Sequence, residues 1–462
     1  MTTLTAASPT TLRLKNVPDY PGAKFPLGHL ALFQQNGMNL FVKAARECGD
    51  LVRFRFGPTV MYQINHPDGA QHLLQGNNRN YGRQSYGNSL IKLVSGLNLF
   101  TSEGEYWLGQ RRLMQPAFHR RRLENFAASM TDSTLRMLDR WQTAIGDGRY
   151  LDMHYEMMTI TMDVVGRALF SVDLIAETSI LGKAFAISTE YVNHRFYKLF
   201  EPPLFIPTRR NRALLEARRN VDTILQQMID ERRGGGEPKD DLLQMLMDAR
   251  DEETGQAMTD EQLRAESRII IAAGQETTSN LLTWTFHVLA EHPAVETRLR
   301  AEIDSVLGGR VPQMDDLAHL PYARLVLDET LRLYPPAWAM TTRNALADDE
   351  ILGYHLPQGA VCFIAPYILH RDPRFWDGPE TFDPERFTDE RSADRHKYAY
   401  IPFGAGPRKC IGNAFALMEA QLILVTLLQR VKLSPQPGCP VIPDGAFTLR
   451  VKGGLPMRVE AR

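Results

Sequence analysis

The sequence predicts a mainly helical protein with small β-sheets, folded as one large domain. Three observations carry that prediction: a helical pattern capped at Thr259 and free of proline until Pro293, strand signals confined to short segments, and no linker rich in Gly, Ser or Pro that would divide the chain. With 44% apolar and 23% charged residues in 462, the composition is that of an ordinary globular protein. Fifty-three basic against 54 acidic residues leave a formal charge of −1, so no overall field draws the chain to nucleic acid or an anionic membrane.

Residues 1–25 read as an N-terminal segment without an anchor and 26–462 as the domain. Residues 1–20 hold no apolar run of signal-peptide length, and the run at 269–273 is far short of the roughly 18 residues of a membrane span. A soluble, cytoplasmic protein is expected. Cys48, Cys362, Cys410 and Cys439 are too scattered for a disulfide framework and form no C-x-x-C pair.

In chain order, residues 51–62 alternate apolar and polar around Gly57-Pro58, a hairpin signal. Residues 233–238 break two helical patterns. The capping box Thr259–Gln262 opens a helix of about 33 residues, roughly 50 Å long. Its middle, 269–285, is apolar nearly all round and so belongs inside, which makes the polar run 274–279 within it conspicuous. A further helix follows Pro321 and stops at Pro335-Pro336, with Glu329 and Arg332 on one face. Strand signals return in 341–364, and a last helix follows Cys410.

The loop Phe403-Gly404-Ala405-Gly406-Pro407-Arg408-Lys409-Cys410-Ile411-Gly412 is the most informative segment. Gly404 and Gly406 permit tight turns, and Gly412 allows close approach of the next helix. Cys410 therefore stands at a helix N-terminus, where free N–H groups and the basic neighbours Arg408 and Lys409 favour a thiolate, either nucleophile or metal ligand. No histidine motif points to Cys410 as a base would, and neither phosphate-cradle pattern fits the loop.

These residues resemble the cytochrome P-450 family of haem-thiolate monooxygenases, in a soluble bacterial-type form. Phe403, Gly406, Arg408, Cys410 and Gly412 match its cysteine loop, and Trp107-x-x-x-Arg111, Ala273-Gly274-Gln275-Glu276-Thr277, Glu329-x-x-Arg332 and Pro384-Glu385-Arg386-Phe387 follow the family's order. The resemblance implies a single domain whose long central helix crosses haem b, with Cys410 as proximal iron ligand. It implies that Arg408, Arg111, Trp107 and Arg343 hold the propionates and that Phe403, Gly404 and Gly412 shape the loop. Ala273 and Gly274 would border the haem face, and Thr277 with Glu276 would relay the protons that O–O cleavage consumes. Glu329, Arg332 and Arg386 would form a buried structural charge network.

The implied activity is hydroxylation or epoxidation of an apolar small molecule by dioxygen. Electrons would come from NAD(P)H through a separate reductase and a ferredoxin or flavodoxin, since the chain after the cysteine loop is too short for a redox domain. The basic stretch from Arg111 to Arg122, including Arg120 and Arg121, is the expected docking surface for that donor. The pocket is expected around 82–99, 191–207, Ala272, Ala273 and 337–341, with Phe196, Tyr197, Phe200, Trp338 and Met340 among its apolar residues. A fatty-acid-like, terpenoid or polyketide substrate follows, the first favoured by motif wording. The competing classes are an electron-carrying or gas-sensing haem protein, against which Glu276-Thr277 argues, and a peroxide-driven peroxygenase, whose dedicated forms lack that pair.

Overall fold

The capped helix forms as Asp260–Glu291, 32 residues long, with the Thr259 side chain on the Gln262 N–H and the Gln262 side chain returning to the Thr259 N–H. The structure, a computed structural model, describes residues 14–173, 178–196, 198, 201–235, 239–251 and 255–462. The side chains of Arg120, Arg121, Thr178, Ser179 and Phe196 lie outside that description.

This central helix packs most extensively against Met153–Val164, and also against Arg209–Arg233, Pro321–Leu333 and Asn413–Arg430. Its length follows from its place: Leu281, Leu282, Trp284, Phe286 and Leu289 are all buried, so it is covered on several sides at once. Trp284 stacks on Tyr334 with centroids 4.1 Å apart and planes at 5°, a pairing worth about 0.5–1.5 kcal/mol beyond burial.

The early hairpin forms as Leu51–Phe56 and Thr59–Ile64. It continues into a five-stranded sheet through Val361–Ile364, Arg343–Ala345 and Tyr81–Gly82. Thr59–Ile64 and Val361–Ile364 run parallel, so residues 300 apart in sequence, such as Met61 and Val361, meet edge to edge. Among the described residues three smaller sheets accompany it, one of them the hairpin Pro443–Gly445 with Leu449–Val451. That hairpin is fixed to the helices, since Leu449 N–H donates to Pro336 O at 2.9 Å and Leu449 O accepts from Trp284 Nε1 at 3.2 Å. No helix of the described residues is long and apolar enough to cross a membrane.

Candidate active site

The chain approaches Cys410 through two left-handed glycines, Gly404 at φ 70° and Gly406 at φ 68°. At Gly406 no side chain fits, because a Cβ would stand 1.9 Å from the Leu74 carbonyl oxygen. Cys410 N–H donates to Phe403 O at 2.9 Å, closing the loop, while Phe403 packs on the main core. Burial pushes the Cys410 thiol up, against the Gly412 N–H, Arg111 and Lys409, which favour the thiolate. A cysteine so enclosed and yet carrying open surface faces an interior space. Gly412 makes no unusually close approach: a Cβ there would meet Phe118 at an ordinary 3.9 Å. Its contribution is the N–H aimed at sulfur.

A cluster of cations adjoins this loop. Helix Gly104–Met114 supplies Trp107, whose ring centre lies 4.0 Å from the Arg408 guanidinium, and Arg111, which donates to Lys409 O at 3.1 Å. Strand Arg343–Ala345 supplies Arg343, which donates to Thr341 at 3.2 Å. Sequence reasoning missed a further member, Arg83: it is buried, donates to Phe100 O and Thr341 Oγ1, and senses the charges of Arg343 and Arg408. No spacing rule marks it, since only the fold brings residues 83, 343 and 408 together. Burial pulls Arg343 and Arg408 down to about 10, and beside Arg408 the Arg343 charge adds to the effect. Glu103, whose carboxyl takes the Arg83 backbone N–H, is the acid acting on all three. Arg408 Nη1 and Arg83 Nε are buried without partners. Crowded guanidiniums with unmade hydrogen bonds need a multiply charged anion, and the two carboxylates of haem b fit that need beside an open cysteine.

On the central helix, Thr277 Oγ1 donates back to Ala273 O at 2.7 Å. The helix stays α-helical through this turn, so the open surface at Ala273 comes from its small side chain and not from a break. Gly274 serves a different contact from the expected one: its Cβ would meet Val165 Cγ2 at 2.9 Å, so the glycine admits the neighbouring helix. Glu276 and Thr277 do not hydrogen-bond each other. Glu276 Oε1 accepts from Thr448 Oγ1 at 2.5 Å, and burial raises its carboxyl while Thr448 and Arg450 oppose that. One residue on, Thr278 stands beside Glu419, a fully buried acid of the cysteine helix whose oxygens make no hydrogen bonds of normal geometry and whose pKa burial pushes far up.

The structural network takes the expected form. Arg332 makes two bonds to Glu329 at 2.6 and 2.7 Å and three to the carbonyls of His370, Pro379 and Thr381. Arg386 Nε lies 3.3 Å from Glu329 Oε1. Every acceptor of this buried ion pair is thus engaged, and helix Pro321–Leu333 is locked to the segment leading to Cys410.

Two expectations change in three dimensions. Trp338 is core, buried against Phe41 and donating to Ala446 O at 2.8 Å, whereas Met340 borders the cysteine loop at Gly404. The basic stretch is partly neutralised by acids distant in sequence, Arg122 by Asp240 at 2.7 Å and Arg112 by Asp251 at 3.8 Å. Tyr197, Phe200 and the side chains of Phe196, Arg120 and Arg121 lie outside the described residues.

Comparison with known proteins agrees with this geometry. The family model described as Cytochrome P450 matches residues 18–454. Cyclooctatin synthase of Streptomyces melanosporofaciens is 34% identical over 99% of this chain and 98% of its own. Cyclooctat-9-en-7-ol 5-monooxygenase of the same organism is 36% identical over 96% and 95%. A crystal structure of the cytochrome P450DA heme domain superposes with a TM-score of 0.89, at 27% identity over 97% of this chain and 98% of that one. With the family match running from residue 18 to residue 454, the chain belongs to the cytochrome P450 family and is a haem-dependent monooxygenase.

Proposed function

We propose that Cys410 is the proximal ligand of haem iron and that Arg83, Arg111, Arg343 and Arg408, with Trp107, bind the propionates. The observation that carries this reading is the group of buried guanidiniums with unpartnered N–H groups beside an open, enclosed cysteine. Haem supplies the activation of dioxygen. The chain's own part is to aim the Gly412 N–H at the ligand sulfur, to keep Arg83, Arg343 and Arg408 paired, and to offer in Glu276 and Thr277 a carboxyl and a hydroxyl for proton delivery. A thiol held by iron would be deprotonated outright, which would overcome the upward push of burial on Cys410. The residues from 26 onward form the catalytic domain.

The substrate is an apolar cyclic hydrocarbon or its alcohol, of terpenoid type, hydroxylated or epoxidised. Support comes from the two Streptomyces relatives, one of which is named for oxygenating an unsaturated alcohol. Electrons come from NAD(P)H through a separate reductase and a ferredoxin or flavodoxin in the cytoplasm, docking at the exposed Lys409 beside the cysteine loop. Spectral titration of the purified protein with a panel of cyclic terpene alcohols, fatty acids and polyketide lactones tests the substrate class. A low- to high-spin shift with the terpene alcohols at micromolar concentration is expected, and a shift confined to fatty acids would overturn it.

A further inference from the structure

Glu276 is held by a residue far from it in sequence. Thr448, in the turn of the C-terminal hairpin, is buried, donates its hydroxyl proton to Glu276 Oε1 at 2.5 Å, and accepts from Asn280 Nδ2 at 3.1 Å. The central helix thus presents Glu276 and, one turn later, Asn280 to the same hydroxyl oxygen. The hairpin cannot drift, since the Leu449 carbonyl and N–H are bonded to Trp284 and Pro336.

We propose that Thr448 is a positioning residue for proton delivery, its hydroxyl holding the Glu276 carboxyl in one orientation and in a protonation equilibrium suited to relaying protons to Thr277. This rests on the relay reading given above. A hydroxyl that donates to a carboxylate stabilises the ionised form, and here it works against the burial that raises Glu276. Arg450 is the charged group acting in the same sense, itself paired with Asp444 at 3.1 Å. From the helix Met153–Val164, His154 senses Arg450 and Asp152 but does not act on Glu276. From the cysteine helix, Glu419 contacts Thr278 and not Glu276. Thr448 is therefore the one hydrogen-bond donor to the carboxyl among the described residues, and the conformation of Glu276 depends on it.

Four variants test this on the haem-loaded protein with substrate and a reconstituted electron donor: T448V, T448A, T448S and E276Q. The readouts are the pH profile of product formation and the fraction of reducing equivalents lost to hydrogen peroxide. Val and Ala remove the hydroxyl, so the limb of the profile belonging to Glu276 moves upward by about one to two pH units, and the peroxide fraction rises severalfold. Ser keeps the hydroxyl and matches the parent. A packing role predicts the opposite grouping, with Ser and Ala, which lose the methyl, disturbed and Val silent, and that result overturns the proposal. E276Q separates the two layers. If it alters both readouts while T448V and T448A do not, the positioning role is refuted and the relay stands; if E276Q alters neither, the relay reading fails and takes the positioning role with it.

Discussion

Glu266 sits fully buried on the central helix, with one carboxyl oxygen accepting from Leu99 N–H at 3.0 Å and the other unpartnered. Burial pushes its pKa from 4.5 to about 7. Between those values the folded protein holds a proton that the unfolded chain has lost, so unfolding releases a proton and stability falls as pH rises from about 4.5 to about 7, then levels off. The total is on the order of 3 kcal/mol. Glu266→Gln should flatten that fall, as read by denaturant unfolding at several pH values, and an unchanged slope would show that Glu266 does not titrate in this window. Thr277 gives a second prediction at this scale. Among the described residues its hydroxyl bonds only to Ala273 O, so Thr277→Ala should leave haem binding and stability nearly intact while diverting electrons to peroxide. Equal peroxide and product yields in mutant and parent would assign the relay elsewhere.

Among the elements, the cysteine loop and the charge network have the sharpest consequences. Gly406→Ala sets a side chain against the Leu74 carbonyl in a left-handed conformation, so the loop must move and haem retention should collapse; Gly404→Ala, where Met340 is 3.8 Å away, should cost only the conformational penalty of about 1–2 kcal/mol. Glu329→Gln leaves Arg332 and Arg386 without their carboxylate and should destabilise by about 3–5 kcal/mol in urea unfolding. The central helix was legible because its signals are local: a capping box, an apolar middle and a terminal proline. The cysteine loop was legible for the same reason. What sequence could not supply were pairings set by the fold, such as Thr448 with Glu276 at a separation of 172 residues, Arg83 with Arg408, and Val165 against Gly274. Each depends on which elements the fold brings face to face, and no periodicity within a single segment carries that information.

At the scale of the whole molecule, near-neutral charge conceals local asymmetry. The run from Arg111 to Arg122 lacks acids in sequence, yet Asp240 and Asp251 reach two of its arginines, and among the described residues the exposed Lys409 adjoins the cysteine loop. Electron transfer from an acidic donor should therefore slow with added salt, as the Debye length falls from about 10 Å at 0.1 M to about 3 Å at 1 M. Lys409→Glu, at an exposed position, should slow haem reduction in stopped flow at low salt and leave the high-salt rate alone; equal rates at both would move the docking site. The central proposal is that Cys410 is the ligand of haem iron. The direct test is the absorption spectrum of the reduced carbon monoxide complex in the parent and in Cys410→His. The account predicts a red-shifted Soret band of thiolate type in the parent, replaced in the mutant by a band at the histidine-ligated position. A red-shifted band that persists in Cys410→His would contradict it.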